Sequence, residues 1–527
     1  MTKISSKIKT LFMLVLLFTM NFVLLSSTLA AEKVTIITNS TVGTIDSGSK
    51  QITNTGNLTV NEVPTGDTLS AYKILDAYYN ESTNVITYEF TDSFKSFLTS
   101  TSGEENDYSS YTVNDYANLT NGDNTSVSTK TNSTLDKLAS LYAAYIKENG
   151  ISGTAMTTSD DSRVVQLAVG SYLILPTLTS NVYAVIVGNI ELKANESEKT
   201  KWDLPDYETV AKVSDPGTLL KAINVTGTTS KSFNIGDEYS YILTATLPTY
   251  PTNATNKTYV IEDVMDAGIT FNGLDKMKIT DNVELNNTNG EFTDVNGNVV
   301  ANVSISGQTL TIDVDVDYVK TNTLTIEYKA KLNEDAVIGG TGNVNTATLT
   351  YSNDPYHVIN PTVNAMNTIE AEPAETTAYT YGIEILKYVI ENEKSVSESL
   401  KLDDAVFKVI NTDTNKEYEI TTSDGGKVLL TGIEEGTYSI TEIKVPAGYI
   451  INENIDDITV DANTIESTTP KTQGHYYLEI PNMPAIVLPF TGGIGTIVFT
   501  VVGLCIVLVG SIAYVIYRKK SLNDEEK

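Results

Sequence analysis

Stretches in which apolar and polar residues alternate one by one recur along this chain, as in "TLTIDVDVDYV" at 309–319 and "TLTIEYKAKL" at 323–332. A two-residue period puts the apolar side chains on one face of an extended strand, and that face is buried only by laying it on another sheet. Turn chemistry punctuates the pattern, with "NGN" at 296–298, "SDGG" at 423–426 and "EEG" at 434–436. Helical periodicity is scarce. The clear case is "STLDKLASLYAAYIKENG" at 133–150, with Leu135, Leu138, Leu141, Tyr142 and Tyr145 on one face and Gly150 as a stop. A mainly β chain of sandwiches is expected, the first with some helix.

The two ends differ from this interior. Lys3, Lys7 and Lys9 precede an apolar stretch over 11–25 and the small residues of "SSTLAAEK", the three regions of a secretory signal peptide, with cleavage expected after Ala30 or Ala31. At the other end, residues 494–517 are apolar, uncharged and long enough to cross a bilayer, and "RKK" follows at 518–520. Basic residues favour the cytoplasmic side, so the interior is expected outside the cell.

Cys505, the only cysteine, falls within the apolar run, so the exported part has no disulfide to stabilise it. The net charge of -31 argues against nucleic acid as a partner and suits a surface protein. The interior is long enough for about three domains. Pro and acidic residues interrupt the apolar pattern at "WDLPDYE", 202–208, and "EAEPAETT", 370–377. The expected organisation is a signal peptide at 1–30, domains at 31–205, 206–372 and 373–487, and a terminal segment at 488–527.

Leu488, Pro489, Phe490, Thr491 and Gly492 stand just before the apolar run and its basic tail. This arrangement resembles the LPXTG cell-wall sorting signal of Gram-positive bacteria. The resemblance implies a sortase that cuts between Thr491 and Gly492, holds the threonine carbonyl as a thioester and passes it to an amine. Pro489 kinks the peptide and Gly492 allows close approach, as a protease-like substrate requires.

Polar residues fall on apolar faces at several places. In "GIEILKYVI", 382–390, Lys387 shares parity with Ile383, Ile385 and Val389; in "YSITEIKVPAGY", 438–449, Glu442 shares parity with Tyr438 and Ile440; in "HYYLEIPNMP", 475–484, Asn482 shares parity with Tyr476, Leu478 and Ile480. Each group is costly to bury alone, which calls for a common explanation. The second stretch resembles the E-box of CnaB-type immunoglobulin-like domains, and "IPNMP" resembles that domain's last strand. The resemblance implies an intramolecular isopeptide bond between Lys387 as nucleophile and Asn482 as acceptor, assisted by Glu442. Burial supports such chemistry by favouring a neutral amine and a neutral acid.

"IGDEYSYIL", "DVMDAGITF" and "GNVNTATLTYSNDP" together resemble the middle, isopeptide-forming domain of backbone pilins. That pattern implies Lys212 bonded to Asn345, with Asp263 assisting and Glu262 as the rival acid. Asn345 shares parity with Ala347, Leu349 and Tyr351, and Asp263 with Tyr259 and Ile261.

The exported chain thus resembles the major backbone subunit of a sortase-assembled pilus, with three tandem Ig-like domains. The resemblance implies polymerisation from Thr491 onto a lysine of the next subunit. "YAVIVGNIELK", 183–193, offers Lys193 but lacks the family's Tyr-Pro before the lysine; Lys199 and Lys201 are alternatives. The implied partners are pilin-specific and housekeeping sortases, identical subunits head to tail, ancillary tip or base pilins, peptidoglycan and host surface ligands. The competing expectation is a monomeric wall-anchored adhesin.

No enzyme is expected beyond this self-modification, and neither cofactor nor metal is called for. His357 and His475 are the only histidines, and they supply neither a catalytic triad nor a zinc site. "DVNGN" at 294–298 begins like a calcium loop, but Val299 stands where the EF-hand needs glycine, so an Asn-Gly hairpin is expected.

Overall fold

The computed structural model describes residues 49–83, 85–104, 106–116, 134–195, 202–251, 254, 256–355, 368–390, 394–467, 474–485 and 494–524. The expected signal peptide at 1–30, the motif Leu488 to Gly492, Lys199 and Lys201 lie outside the described residues. The chain divides into two compact units at Tyr379 and Thr380, with residues 338–340 belonging to the second.

The first unit opens with two four-stranded sheets. One runs Ile186–Ile190, Gly170–Leu178, Thr68–Lys73, Thr154–Ala155; the other runs Tyr207–Val210, Thr55–Asn61, Ser162–Ala168, Thr157–Ser159. Leu58, Val60, Tyr172, Ile174 and Ile186 fill the core. The helix expected over 133–150 is Thr134–Glu148, packed over Phe94, Phe97 and Leu173. Leu135, Leu138 and Tyr142 are buried as its period predicts, and Ala139, Ala143 and Ile146 complete the face. Gly150 ends it at φ +60°, where Ile151 N–H returns to the Ile146 carbonyl at 3.0 Å.

Both expected seams move towards the C-terminus. Tyr207–Val210 runs parallel to Thr55–Asn61 and belongs to the first domain's sheet, so that domain extends past 205. Ala374–Tyr379 pairs with Asn343–Ser352, so the middle domain extends past 372. In each case a strand that begins just after the proline of the apparent linker joins the preceding domain's sheet.

The middle domain has a sheet ordered Thr218–Ile223, Glu238–Thr246, Thr323–Leu332, Lys278–Asp281, Val283–Glu284. A larger sheet contains, in order, Ser230–Ser232, Ala374–Tyr379, Asn343–Ser352, Tyr259–Met265, Thr309–Val314 and Val299–Ser306. In Thr323–Leu332 every second residue, from Leu324 to Leu332, is fully buried, as the alternation requires. The 294–298 stretch is a turn closed on itself: Asp294 accepts from the Asn296 and Asn298 N–H groups at 2.8 and 3.0 Å.

The second unit holds two four-stranded sheets. One is ordered Lys427–Ile433, Tyr381–Val389, His475–Pro484, Tyr449–Ile450; the other Glu417–Thr421, Val406–Asn411, Gly436–Lys444, Ile458–Val460. This unit also contains the helix Ile494–Asp524, in which Thr496–Lys520 has a mean hydropathy of 2.6 and the length to cross a membrane.

Leu58 is 1 % exposed in the first core, whereas Leu178 is 67 % exposed. Leu58→Ala is expected to destabilise the first domain by about 2–5 kcal/mol in urea unfolding, and Leu178→Ala to change it by less than about 0.5 kcal/mol.

Candidate functional sites: two buried lysines

In the second unit, Tyr381–Val389 and His475–Pro484 are parallel neighbours, with Lys387 opposite Ile480 and Val389 opposite Asn482. Lys387 and Asn482 are therefore diagonal neighbours on one face of one sheet, within side-chain reach. Glu442 comes from Gly436–Lys444 in the other sheet. The side chains of Lys387 and Glu442 are fully buried, and Asn482 is 1 % exposed.

Lys387 Nζ donates to Asn482 Oδ1 and lies 3.1 Å from Glu442 Oε1, which also accepts from Asn482 Nδ2 at 3.3 Å. Glu442 Oε2 accepts from the Asn452 N–H at 2.8 Å, which fixes the carboxyl group. The Phe407 ring covers the amine at 5.5 Å. Burial pulls the Lys387 pKa down, and the Glu442 charge opposes this only in part.

The "SDGG" turn sets the height of the lysine. Gly426 has φ +76°, its carbonyl accepts from Lys387 N–H at 2.7 Å, and a Cβ there would meet the Lys387 carbonyl oxygen at 2.3 Å. Only glycine suits both demands.

The middle domain builds its site between its two sheets, and the structure corrects the expected lysine. Lys212 lies between Tyr207–Val210 and Val213–Ser214, half-exposed, with its carbonyl accepting from Ala184 N–H. That backbone contact ties it to the first domain. Lys221, on Thr218–Ile223, occupies the core position instead, its side chain fully buried in an ion pair with Asp263 Oδ1. The signal was present: Leu219, Lys221 and Ile223 share one parity and are buried, as Ile383, Ile385, Lys387 and Val389 are, while Leu220 is 68 % exposed.

Asp263 and Asn345 meet on the larger sheet, where Met265 is opposite Asn345 and Asp263 opposite Ala347. Glu262 points to the exposed face. Tyr328, from the other sheet, donates to Asp263 Oδ2 at 2.7 Å and accepts from Asn345 Nδ2 at 2.7 Å. Asn345 Oδ1 is buried and accepts no hydrogen bond among the described residues. The Tyr241 ring lies 5.1 Å from the Lys221 amine. Burial lowers the Lys221 pKa from 10.5 to about 8 despite Asp263, and burial followed by the Asp263 charge holds the Tyr328 hydroxyl well above its ordinary value.

Among the described residues of the first domain no lysine is buried; its buried charged side chains are Asp67, Arg163 and Glu191. Lys193 is exposed on the short strand Lys193–Ala194, which pairs with Trp202–Asp203, and its amine lies 5.9 Å from the Tyr207 ring centre.

Residues 389–473 match the family model of the SpaA prealbumin-like fold domain, a span that includes Glu442 and stops short of Lys387 and Asn482 on either side. Over 298 residues the chain is 30% identical to the trypsin-resistant surface T6 protein of Streptococcus pyogenes serotype M6, covering 54% of this chain and 51% of that protein. The chain is therefore a sequence relative of this surface protein over that stretch. The aligned region spans about half the length of that curated relative. The solved T6 backbone pilin of serotype M6, described as a modular three-domain structure, shares the fold with a TM-score of 0.61 and 21% identity, over 82% of this chain and 99% of that one.

An Asn345→Ala chain leaves the Lys221 amine buried beside Asp263 with no amide next to it. Its folded pKa of about 8 lies below its ordinary 10.5, so between these values the unfolded chain binds more protons and stability rises with pH. Below that window the full burial penalty applies, and above it the penalty vanishes. The urea midpoint of the middle domain is expected to rise from about pH 8 to about 10 relative to the Asn345→Ala/Lys221→Met double variant.

Proposed function

We propose that this chain is the major shaft subunit of a covalently polymerised pilus on a Gram-positive bacterium, internally cross-linked by isopeptide bonds. The observation that carries the reading is the pair of lysines, Lys387 and Lys221, each buried against a carboxylate in a relative of the T6 surface protein that shares the fold of a backbone pilin.

At the second unit's site the Lys387 amine attacks Asn482 Cγ, Glu442 takes the amine proton and returns it to the leaving nitrogen, and ammonia departs. The middle domain joins Lys221 to Asn345 with Asp263 as the acid. Each acid first takes the ammonium proton of its lysine and finishes protonated once ammonia has left, so each domain acts on itself once. The Lys387–Asn482 link closes a loop of 95 residues, which by chain entropy is worth about 4–5 kcal/mol.

Between subunits, a pilin-specific sortase joins Thr491 of one chain to Lys193 of the next, and a housekeeping sortase attaches the finished fibre to peptidoglycan. Lys193 suits the task because it is exposed on a short hairpin, open to an acyl-enzyme. Tip and base pilins complete the fibre, which presents the acidic domains to host surfaces. The apolar helix Ile494–Asp524 retains the precursor in the membrane until the sortase acts.

Intact mass spectrometry tests the internal bonds. The mature wild-type chain is expected to be lighter than its sequence by two ammonia molecules, with Asn482→Ala and Asn345→Ala each restoring one. Immunoblots of wall extracts test the polymer: a ladder of heavy bands is expected, lost when Lys193 is changed to Arg. A full sequence mass together with a single monomer band would sink the proposal.

A further inference from the structure

The two lysine sites differ in how the acid reaches the asparagine. In the second unit Glu442 touches both partners directly, with its Oε1 at 3.1 Å from Lys387 Nζ and 3.3 Å from Asn482 Nδ2. In the middle domain Asp263 pairs with Lys221 through Oδ1, and its other oxygen meets the Tyr328 hydroxyl, which in turn holds Asn345 Nδ2. Tyr328 is fully buried, on Thr323–Leu332, and is fixed by ring contacts with Tyr241 at 5.3 Å and Phe271 at 5.7 Å. Its hydroxyl therefore sits 2.7 Å from the carboxylate and 2.7 Å from the nitrogen that must leave.

We propose that Tyr328 is a catalytic residue of the middle domain, relaying a proton from Asp263 to Asn345 Nδ2 as the isopeptide bond forms. The inference rests on the isopeptide reading above. The Lys221 ammonium first gives a proton to Asp263, leaving a neutral amine and a neutral acid. The amine then forms the Nζ–Cγ bond, the Asn345 carbonyl becomes tetrahedral, and Nδ2 gains a basic lone pair. The Tyr328 hydroxyl swings from the carboxyl group to that nitrogen and delivers its proton, while Asp263 replaces it from the carboxylic acid. The second amine proton goes back to Asp263 as the Cγ–Nδ2 bond breaks. One C–N bond forms, one breaks, ammonia leaves, and both Tyr328 and Asp263 finish protonated.

The geometry places the relay on the path from acid to leaving group. A tyrosine whose hydroxyl already donates to a carboxylate and accepts from an amide occupies the line between acid and leaving group. Tyrosine is also suited to the task because its hydroxyl gains and loses a proton without leaving a stable ion in so dry a site, since burial strongly disfavours the phenolate.

The test uses the full-length chain, pulse-labelled and chased, with the Lys221–Asn345 and Lys387–Asn482 cross-linked peptides followed by mass spectrometry. Tyr328→Phe removes only the hydroxyl. Middle-domain cross-linking is expected to slow about 10²-fold or more, the usual loss of a positioned acid, while the Lys387–Asn482 bond forms at the wild-type rate. A middle-domain rate equal to wild type would overturn the relay. Site-specific 3-fluorotyrosine at 328 keeps the hydroxyl and makes it more acidic; it is expected to restore the cross-link at a rate different from that of tyrosine. An unaltered rate across tyrosine, 3-fluorotyrosine and 3,5-difluorotyrosine would also overturn it. A wild-type chain that loses no ammonia from the middle domain, while the second unit cross-links, overturns the isopeptide reading of that domain and the relay with it.

Discussion

Everything distinctive about this chain depends on a lysine amine held in a dry core beside a carboxyl group. A buried ion pair is poor evidence of stability, because desolvating both charges takes back most of what their attraction supplies, and well-packed apolar residues commonly do as well. Two cores of this chain nonetheless contain one, at Lys387 with Glu442 and at Lys221 with Asp263. The arrangement is intelligible if the pair is a reactant. Condensation with the neighbouring asparagine removes the charge from the lysine, leaves the acid free to be neutral, and turns a marginal contact into a covalent one. The low dielectric that makes the pair costly also makes the amine nucleophilic, so one physical condition supplies both the problem and its resolution.

The second site was legible because the two-residue period has no tolerance: a lysine at the parity of Ile383, Ile385 and Val389 must enter the core if the strand forms at all. The same rule placed Glu442, Asn482, Asn345 and Asp263, and Glu262 fell on the open face because it has the other parity. Lys221 was missed although it obeys the rule as well as Lys387 does, since Lys212 stands nearer the apparent seam and the pattern "LLKAI" has an apolar residue, Leu220, on its exposed face that blurs the alternation. Tyr328 was not legible. A tyrosine at a core position of a strand reads as packing, and only the pairing of Thr323–Leu332 with Glu238–Thr246 and the approach of the opposite sheet bring its hydroxyl between Asp263 and Asn345. The seams were hard for a related reason: Tyr207–Val210 and Ala374–Tyr379 are strands with weak alternation, whose assignment depends on the sheets they join.

The two sites also direct force differently, and this follows from which strands they join. In the second unit the proposed bond links Lys387 on the entering strand to Asn482 on the leaving strand, two parallel neighbours of the same sheet. Tension that enters at Tyr381 passes through the side-chain link and leaves within a few residues, so almost the whole sandwich is out of the load path. In the middle domain Lys221 lies on Thr218–Ile223 of one sheet and Asn345 on Asn343–Ser352 of the other, so the link pins sheet to sheet. The chain after Asn345 is still loaded: Ala374–Tyr379 must hold by its antiparallel pairing with Asn343–Ser352 and its parallel pairing with Ser230–Ser232. That last strand is the part of a cross-linked middle domain that no covalent link would hold: hydrogen bonds and the packing of Ala378 in the core resist its removal. Among the described residues the domain before it contacts the middle domain through Tyr351 Oη donating to the Ser180 carbonyl at 2.8 Å, Asn353 Nδ2 donating to the Thr179 carbonyl at 2.6 Å, and Lys147 paired with Asp354. With the proposed cross-links in place, load falls first on the hydrogen-bonded strands and junctions, and the two amides would limit how far each domain can follow.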